Sequence, residues 1–106
     1  MTEAGILFIS GQIPIDPSNG QLLKVDIKME TEQVMKNIGA ILKTNNLDFT
    51  NVVKCTVFLT NMDDFQAMNE IYAGFFPDKI YPARETIQVV HLPLGAGIEI
   101  SAIASK

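Results

Sequence analysis

Between Ile6 and Ile13 both alternating sets of residues are largely apolar, with Ile6 and Phe8 on one side and Leu7, Ile9 and Ile13 on the other. Successive side chains of a strand point to opposite faces, so such a strand needs apolar cover above and below. In a chain of 106 residues few folds can provide it. The rest of the pattern supplies two helices and three more strands. From Asp26 to about Asn45 the period becomes helical, with Ile27, Val34, Ile38, Ile41 and Leu42 as the apolar stripe. Lys28, Glu30, Glu32, Lys36 and Lys43 fall largely outside that stripe. Asp26 is placed to cap this helix, and Asn45-Asn46 to end it in a left-handed turn.

Val52 to Thr60 reads as a strand, and Asp16-Pro17-Ser18-Asn19-Gly20 as a turn. Asp63 or Asp64 then caps a second helix reaching about Phe76, which buries Phe65, Met68, Tyr72 and Phe75 and is stopped by Pro77. A strand from Arg84 to Val90, a turn at Pro93, Gly95 and Gly97, and a last strand from Ile98 to Ala104 complete the chain. The order β–α–β–α–β–β, with right-handed crossovers, makes an α+β domain with two helices on one face of its sheet. The other face carries apolar side chains without a helix to cover them, which points to self-association through that face.

Composition narrows the function. A hydrophobic share of 47% marks a globular chain, and a net charge of −4 with 8 lysines and arginines leaves no basic stripe for a nucleic-acid backbone. No apolar run is long enough for a membrane helix, and the sequence shows no secretory leader. Cys55 is alone and alternates with Val53, Val57 and Leu59, as a buried thiol does. The compartment expected is the cytoplasm, or the mitochondrion if the natural start lies upstream.

Tyr81-Pro82-Ala83-Arg84-Glu85-Thr86-Ile87-Gln88-Val89 is the segment richest in chemistry. It sets Arg84, Thr86 and Gln88 on one strand face, and the planar guanidinium of an arginine matches a carboxylate. Glu99, between Ile98 and Ile100, points away from the side those isoleucines bury. A hairpin from Val90 to Ile98 is expected to bring Glu99 near Arg84, either as an ordinary ion pair or as a site. In a site, Arg84 holds a substrate carboxylate while Glu99 orients or deprotonates a water. Gly11 within a strand marks a bulge or a close backbone approach to a ligand. His91 is the only histidine, no His or Cys cluster offers a zinc site, and no phosphate-binding loop occurs.

The chain resembles the Rid family (reactive intermediate deaminases, also called YjgF, formerly the L-PSP endoribonucleases). The matching segments are Phe8-Ile9-Ser10-Gly11-Gln12-Ile13-Pro14, Val52 to Leu59, Met62-Asp63-Asp64-Phe65 through Asn69, Pro82-Ala83-Arg84, and Leu92-Pro93 through Ile98-Glu99-Ile100. The resemblance implies a chorismate-mutase-like sheet and a homotrimer with sheets inward and sites in clefts between subunits. It also implies cofactor-free hydrolysis of 2-imino or 2-enamino acids to 2-keto acids and ammonia. By position, Arg84 pairs with the substrate carboxylate and Glu99 positions or activates the water. Ser10 and Gly11 line the cleft, Asn69 is a supporting polar group, and Thr86 takes the place of a cysteine found in many members. The family's opening Gly-Pro-Tyr-Ser segment and edge strand have no counterpart in Met1 to Gly5, and Glu85 replaces a small residue after the arginine. A non-catalytic small-carboxylate binding module is the alternative reading, and an endoribonuclease a third that the acidic balance disfavours.

Overall fold

Val57, Leu59, Ile98 and Ile100 are fully buried, and they lie on the two central strands of a four-stranded sheet. The computed structural model describes residues 1–106. Its elements run β1 (Ile6–Gln12), β2 (Ile15–Asp16), β3 (Gln21–Leu22), α1 (Ile27–Thr44), β4 (Val52–Leu59), α2 (Phe65–Ala73), β5 (Ala83–Gln88) and β6 (Ile98–Ser105). The main sheet has the order β1-β6-β4-β5. Strand β6 is antiparallel to both β1 and β4, and β4 is parallel to β5 through the α2 crossover. Both helices cover one face, where Val34, Met35, Ile38, Leu42, Met68 and Tyr72 meet Leu7, Ile9, Cys55, Val57 and the inward residues of β6.

Helix α1 begins as its sequence dictates. The Asp26 carboxylate accepts the Met29 N–H at 2.8 Å, and Asn46 beyond its end takes a left-handed φ of 60°. Glu30 departs from the expected polar face, because it is buried with 6% of its surface exposed. Its carboxylate turns inward against the loop before β6, so close that a methyl group on Gly97 would sit 3.1 Å from its Oε1. Burial pushes the Glu30 carboxyl pKa up, with only partial relief from Lys24.

The second helix is entered differently from expectation. Asn61, rather than either aspartate, caps the preceding turn at Met62–Asp64 by accepting the Asp63 N–H, and Asp64 makes no capping bond. The turn at Asp16–Gly20 joins two strands of only two residues each, β2 and β3. Asn37 donates to the Ile15 carbonyl at 2.9 Å and ties that hairpin to α1.

The order of the sheet also differs from expectation. Strand β6 pairs with β4 and β1, not with β5. A parallel β4–β5 pair fills the side of β4 next to Arg84, so β6 crosses over to the other side of β4.

The face opposite the helices is uncovered within the chain. Register puts Phe8, Ile103, Lys54, Ala83 in one row and Glu99, Phe58, Ile87 in another. Phe8 is 65% exposed and Ile87 43%. Lys54 and Glu85 form an ion pair there at 3.2 Å.

Burial of Glu30 makes stability depend on pH with a definite sign. A carboxyl whose folded pKa lies above its unfolded value stabilises fully below the unfolded value of 4.5, and that contribution is lost as pH rises through the folded pKa. Glu30→Gln is therefore expected to raise the melting temperature at pH 7 and to lose this advantage near pH 4. A melting series across that range checks it, and an equal shift at both pH values would contradict the assignment.

Candidate active site

Phe65, Asn69 and Tyr72 stand at i, i+4 and i+7 of α2, so they share one helix face. That face looks onto edge strand β5, where Arg84 lies opposite Cys55 of β4. Cys55 is buried on the helix side, and Arg84 therefore projects to the same side. Its Nη1 donates to Asn69 Oδ1 at 2.6 Å. The guanidinium carbon lies 4.8 Å from the centroid of the Tyr72 ring and 5.4 Å from that of Phe65. Two aromatic faces and a neutral amide thus fix a half-buried cation. No carboxylate approaches it within ion-pair distance, since the ion pairs of the chain are Lys28–Glu70, Lys36–Glu32 and Lys54–Glu85.

Beside Arg84 opens a cleft of about 360 Å³ lined by Asn69, Tyr72, Ala73, Tyr81, Pro82 and Arg84. Beneath it the Tyr72 hydroxyl is buried without an aligned hydrogen-bond partner. It lies near the Cys55 thiol and the guanidinium, and burial drives its pKa well above the ordinary phenol value. Burial also pushes the Cys55 thiol up, which keeps it protonated and poorly nucleophilic. Thr86, half-buried, is two residues along the same face, opposite Val57.

Glu99 occupies a different place. It is opposite Phe58, on the uncovered face, and two strands away from Arg84. The register offset of three residues and the two strand spacings each amount to about 10 Å. Within one chain the expected proximity of Arg84 and Glu99 is therefore absent, because β4 separates their strands and parity sends them to opposite faces. The ordinary Arg84–Glu99 ion pair is excluded for the same reason.

Gly11 lies against Glu99 instead, with Ser10 next to it on the strand. The ladder between β1 and β6 shifts register between Ile9 and Gln12, so both residues form a bulge opposite Ser101. A Cβ on Gly11 would lie 2.6 Å from Glu99 Cδ and 2.7 Å from its Oε2. The glycine is needed for the glutamate to lie over the bulge. Arg84 and Asn69 thus stand together, with Thr86 on the same strand face but outside the cleft's lining, and Gly11 lies against Glu99 with Ser10 beside it in the bulge. The sequence reading missed Tyr72 as the platform for Arg84, although its α2 spacing with Asn69 was the available signal. It also left out Ala73, Tyr81 and Pro82 as walls.

No group of three or more His, Cys, Asp or Glu side chains is arranged to hold a metal ion. No helix is long and apolar enough to cross a membrane.

The fold has counterparts in known proteins. The model of the family described as Endoribonuclease L-PSP matches residues 1–106. Human 2-iminobutanoate/2-iminopropanoate deaminase is 50% identical over 98 residues, covering 92% of this chain and 71% of that protein. The crystal structure of YyfA from Yersinia pestis, a protein of unknown function in the conserved Rid family, superposes with a TM-score of 0.95 at 45% identity, covering 99% of this chain and 83% of that one. TdcF of Escherichia coli, solved with bound serine, superposes with a TM-score of 0.93 at 34% identity, covering 100% of this chain and 84% of that one. The chain belongs to the Rid (YjgF, L-PSP) family.

An unpartnered buried hydroxyl contributes nothing to stability and is costly to desolvate. Tyr72→Phe keeps the ring under Arg84 and is expected to leave the unfolding free energy unchanged or raised by up to about 1 kcal/mol. Urea denaturation tests this, and a loss larger than that would show that the hydroxyl is bonded in solution.

Proposed function

We propose that the protein hydrolyses 2-imino and 2-enamino acids of the 2-aminoacrylate and 2-iminobutanoate class to 2-keto acids and ammonia. One observation carries the reading: Arg84 is a half-buried guanidinium, fixed by Asn69, Tyr72 and Phe65, with no anion of its own chain beside it. A cation so held gains most from a small carboxylate that arrives from outside. The serine bound to TdcF is an acid of that size, and the human relative carries the name of this activity.

Arg84 pairs with the substrate carboxylate, and Asn69 keeps the guanidinium plane oriented. Glu99 orients a water toward the imine carbon and takes up its proton, while Ser10 and Gly11 line that end. The C–O bond forms as the C=N bond opens to an amine. Glu99 returns its proton to the nitrogen, and as the hydroxyl proton of the adduct also passes to nitrogen the C–N bond breaks, ammonia leaves and a carbonyl remains. An enamine first takes a proton at carbon to become the imine. The imine carbon is already electrophilic, so placement of water and a proton path suffice.

Arg84 and Glu99 face opposite sides of one sheet, so a complete site needs Glu99 from a second copy. The uncovered apolar face with Phe8, Phe58, Ile87 and Ile103 is the surface through which copies join, as a homotrimer with sheets inward. Because β5 is an edge strand, its Arg84 lies at the rim where a neighbouring protomer arrives.

The test is ammonia release from 2-aminoacrylate generated by a dehydratase. Wild type is expected to accelerate it, and Arg84→Ala to lower kcat/KM about 100-fold. Arg84→Lys is expected to lose most affinity for 2-oxobutanoate in calorimetry, since an ammonium cannot make the paired contact. Unchanged ammonia release on adding wild type would remove the enzyme, and retained 2-oxobutanoate binding would then make the chain a binding module. Gly11→Ala is expected to fold and bind the keto acid normally but to lower kcat by about 100-fold or more, because Glu99 is pushed off the bulge. A parallel rise in KM with kcat intact would contradict the role given to Glu99.

A further inference from the structure

The cleft beside Arg84 has two unlike ends. One carries the guanidinium and the Asn69 amide, and the other is walled by Tyr72, Ala73, Tyr81 and Pro82. With a small carboxylate anchored on Arg84, the rest of an imino acid can extend along that apolar wall.

That wall is fixed rather than incidental. Ala73 is the last residue of α2, and its single methyl leaves open the space that a larger residue would fill. Tyr81 keeps half of its surface exposed (51%) while its ring meets Phe76 edge-on at 6.3 Å. Pro82 follows and restricts the backbone of both residues. The turn that delivers Tyr81 holds two successive non-glycine residues, Asp78 and Lys79, at φ of 58° and 56°. Such conformations persist only where surrounding structure imposes them. Tyr81 lines the cleft with its ring edge-on to Phe76.

We infer that the site prefers 2-imino acids bearing a branched aliphatic or aromatic side chain, with Ala73 and Tyr81 as the residues that set this preference. The inference rests on the deaminase reading for its chemistry and on the cleft's lining for its selectivity. With the carboxylate on Arg84, the imine carbon faces the rim where the water-bearing glutamate approaches, and the side chain is left pointing to the wall.

The experiment compares imines generated in situ by an L-amino-acid oxidase from leucine and from 2-aminobutyrate, following imine decay by semicarbazide trapping. Wild type is expected to show a kcat/KM about tenfold higher for the leucine-derived imine, the discrimination that a few methylenes give in an apolar pocket. Ala73→Leu and Tyr81→Ala are each expected to reduce that ratio about tenfold. Tyr81 is exposed enough for its variant to fold if Ala73→Leu does not. A wild-type ratio of one or less, or a ratio unchanged in the folded variants, overturns the inference while leaving the deaminase intact. If wild type turns over neither imine, the deaminase reading fails by itself, and calorimetry with the 2-oxo acids decides the pocket. Tighter binding of 4-methyl-2-oxopentanoate than of 2-oxobutanoate, lost in Tyr81→Ala, supports the wall. Equal affinity, or binding of neither, overturns it.

Discussion

Between α2 and the edge of the sheet, one guanidinium is held by everything around it except an anion. Its plane rests against Tyr72 and Phe65 and its Nη1 is engaged by Asn69. Partly desolvating a cation is unfavourable without compensation, and here the compensation from the chain is aromatic and amide, with no carboxylate. Arginine suits this role better than lysine because its flat, weakly hydrated head stacks on rings and still presents paired donors outward. Had a carboxylate of the chain occupied those donors, the cleft would be an internal ion pair. Glu85, the nearest acid in sequence, is instead directed by strand parity to Lys54 on the opposite face.

The topology of the sheet decides what the site needs next. Strand β4 pairs in parallel with β5 and antiparallel with β6, so the glutamate on β6 is two strands removed and on the other face. The bulge at Ser10 and Gly11 leaves room for that glutamate to lie across it, room that a methyl on Gly11 would take. We propose that one arrangement, in which copies pack face to face, both covers the apolar sheet face with its exposed Phe8 and Ile87 and brings Arg84 and Glu99 of different copies to one site.

Much of this was legible in the sequence. The period change at Asp26, the apolar stripe of α1 and the alternation of β4 and β6 follow from local patterning, and the uncovered face follows from having only two helices for a sheet apolar on both sides. The bulge was visible as a glycine inside a strand. What escaped depends on partners distant in sequence. Glu30 reads as a surface glutamate from its neighbours, and only the approach of Gly97 from the far end of the chain shows it to be buried. The expected neighbourhood of Arg84 and Glu99 failed because a connection of nine residues between β5 and β6 looks like a hairpin, whereas β4 already occupies the adjacent position. Tyr72 reads as core by periodicity, and it is core, but its ring also serves the guanidinium. The two-residue strands β2 and β3 are too short to leave any alternation.

The central claim is that Arg84 of one protomer and Glu99 of another act on the same substrate, and mixed assembly tests it most directly. Arg84→Ala and Glu99→Gln proteins, each inactive alone, are unfolded together in equal amounts, refolded, and assayed for ammonia release from 2-aminoacrylate. Random assortment in a closed ring leaves about a quarter of the sites with both groups intact, so the mixture is predicted to recover about that fraction of wild-type activity. A mixture as inactive as its components, under conditions where wild type refolds to full activity, would contradict a site shared between protomers.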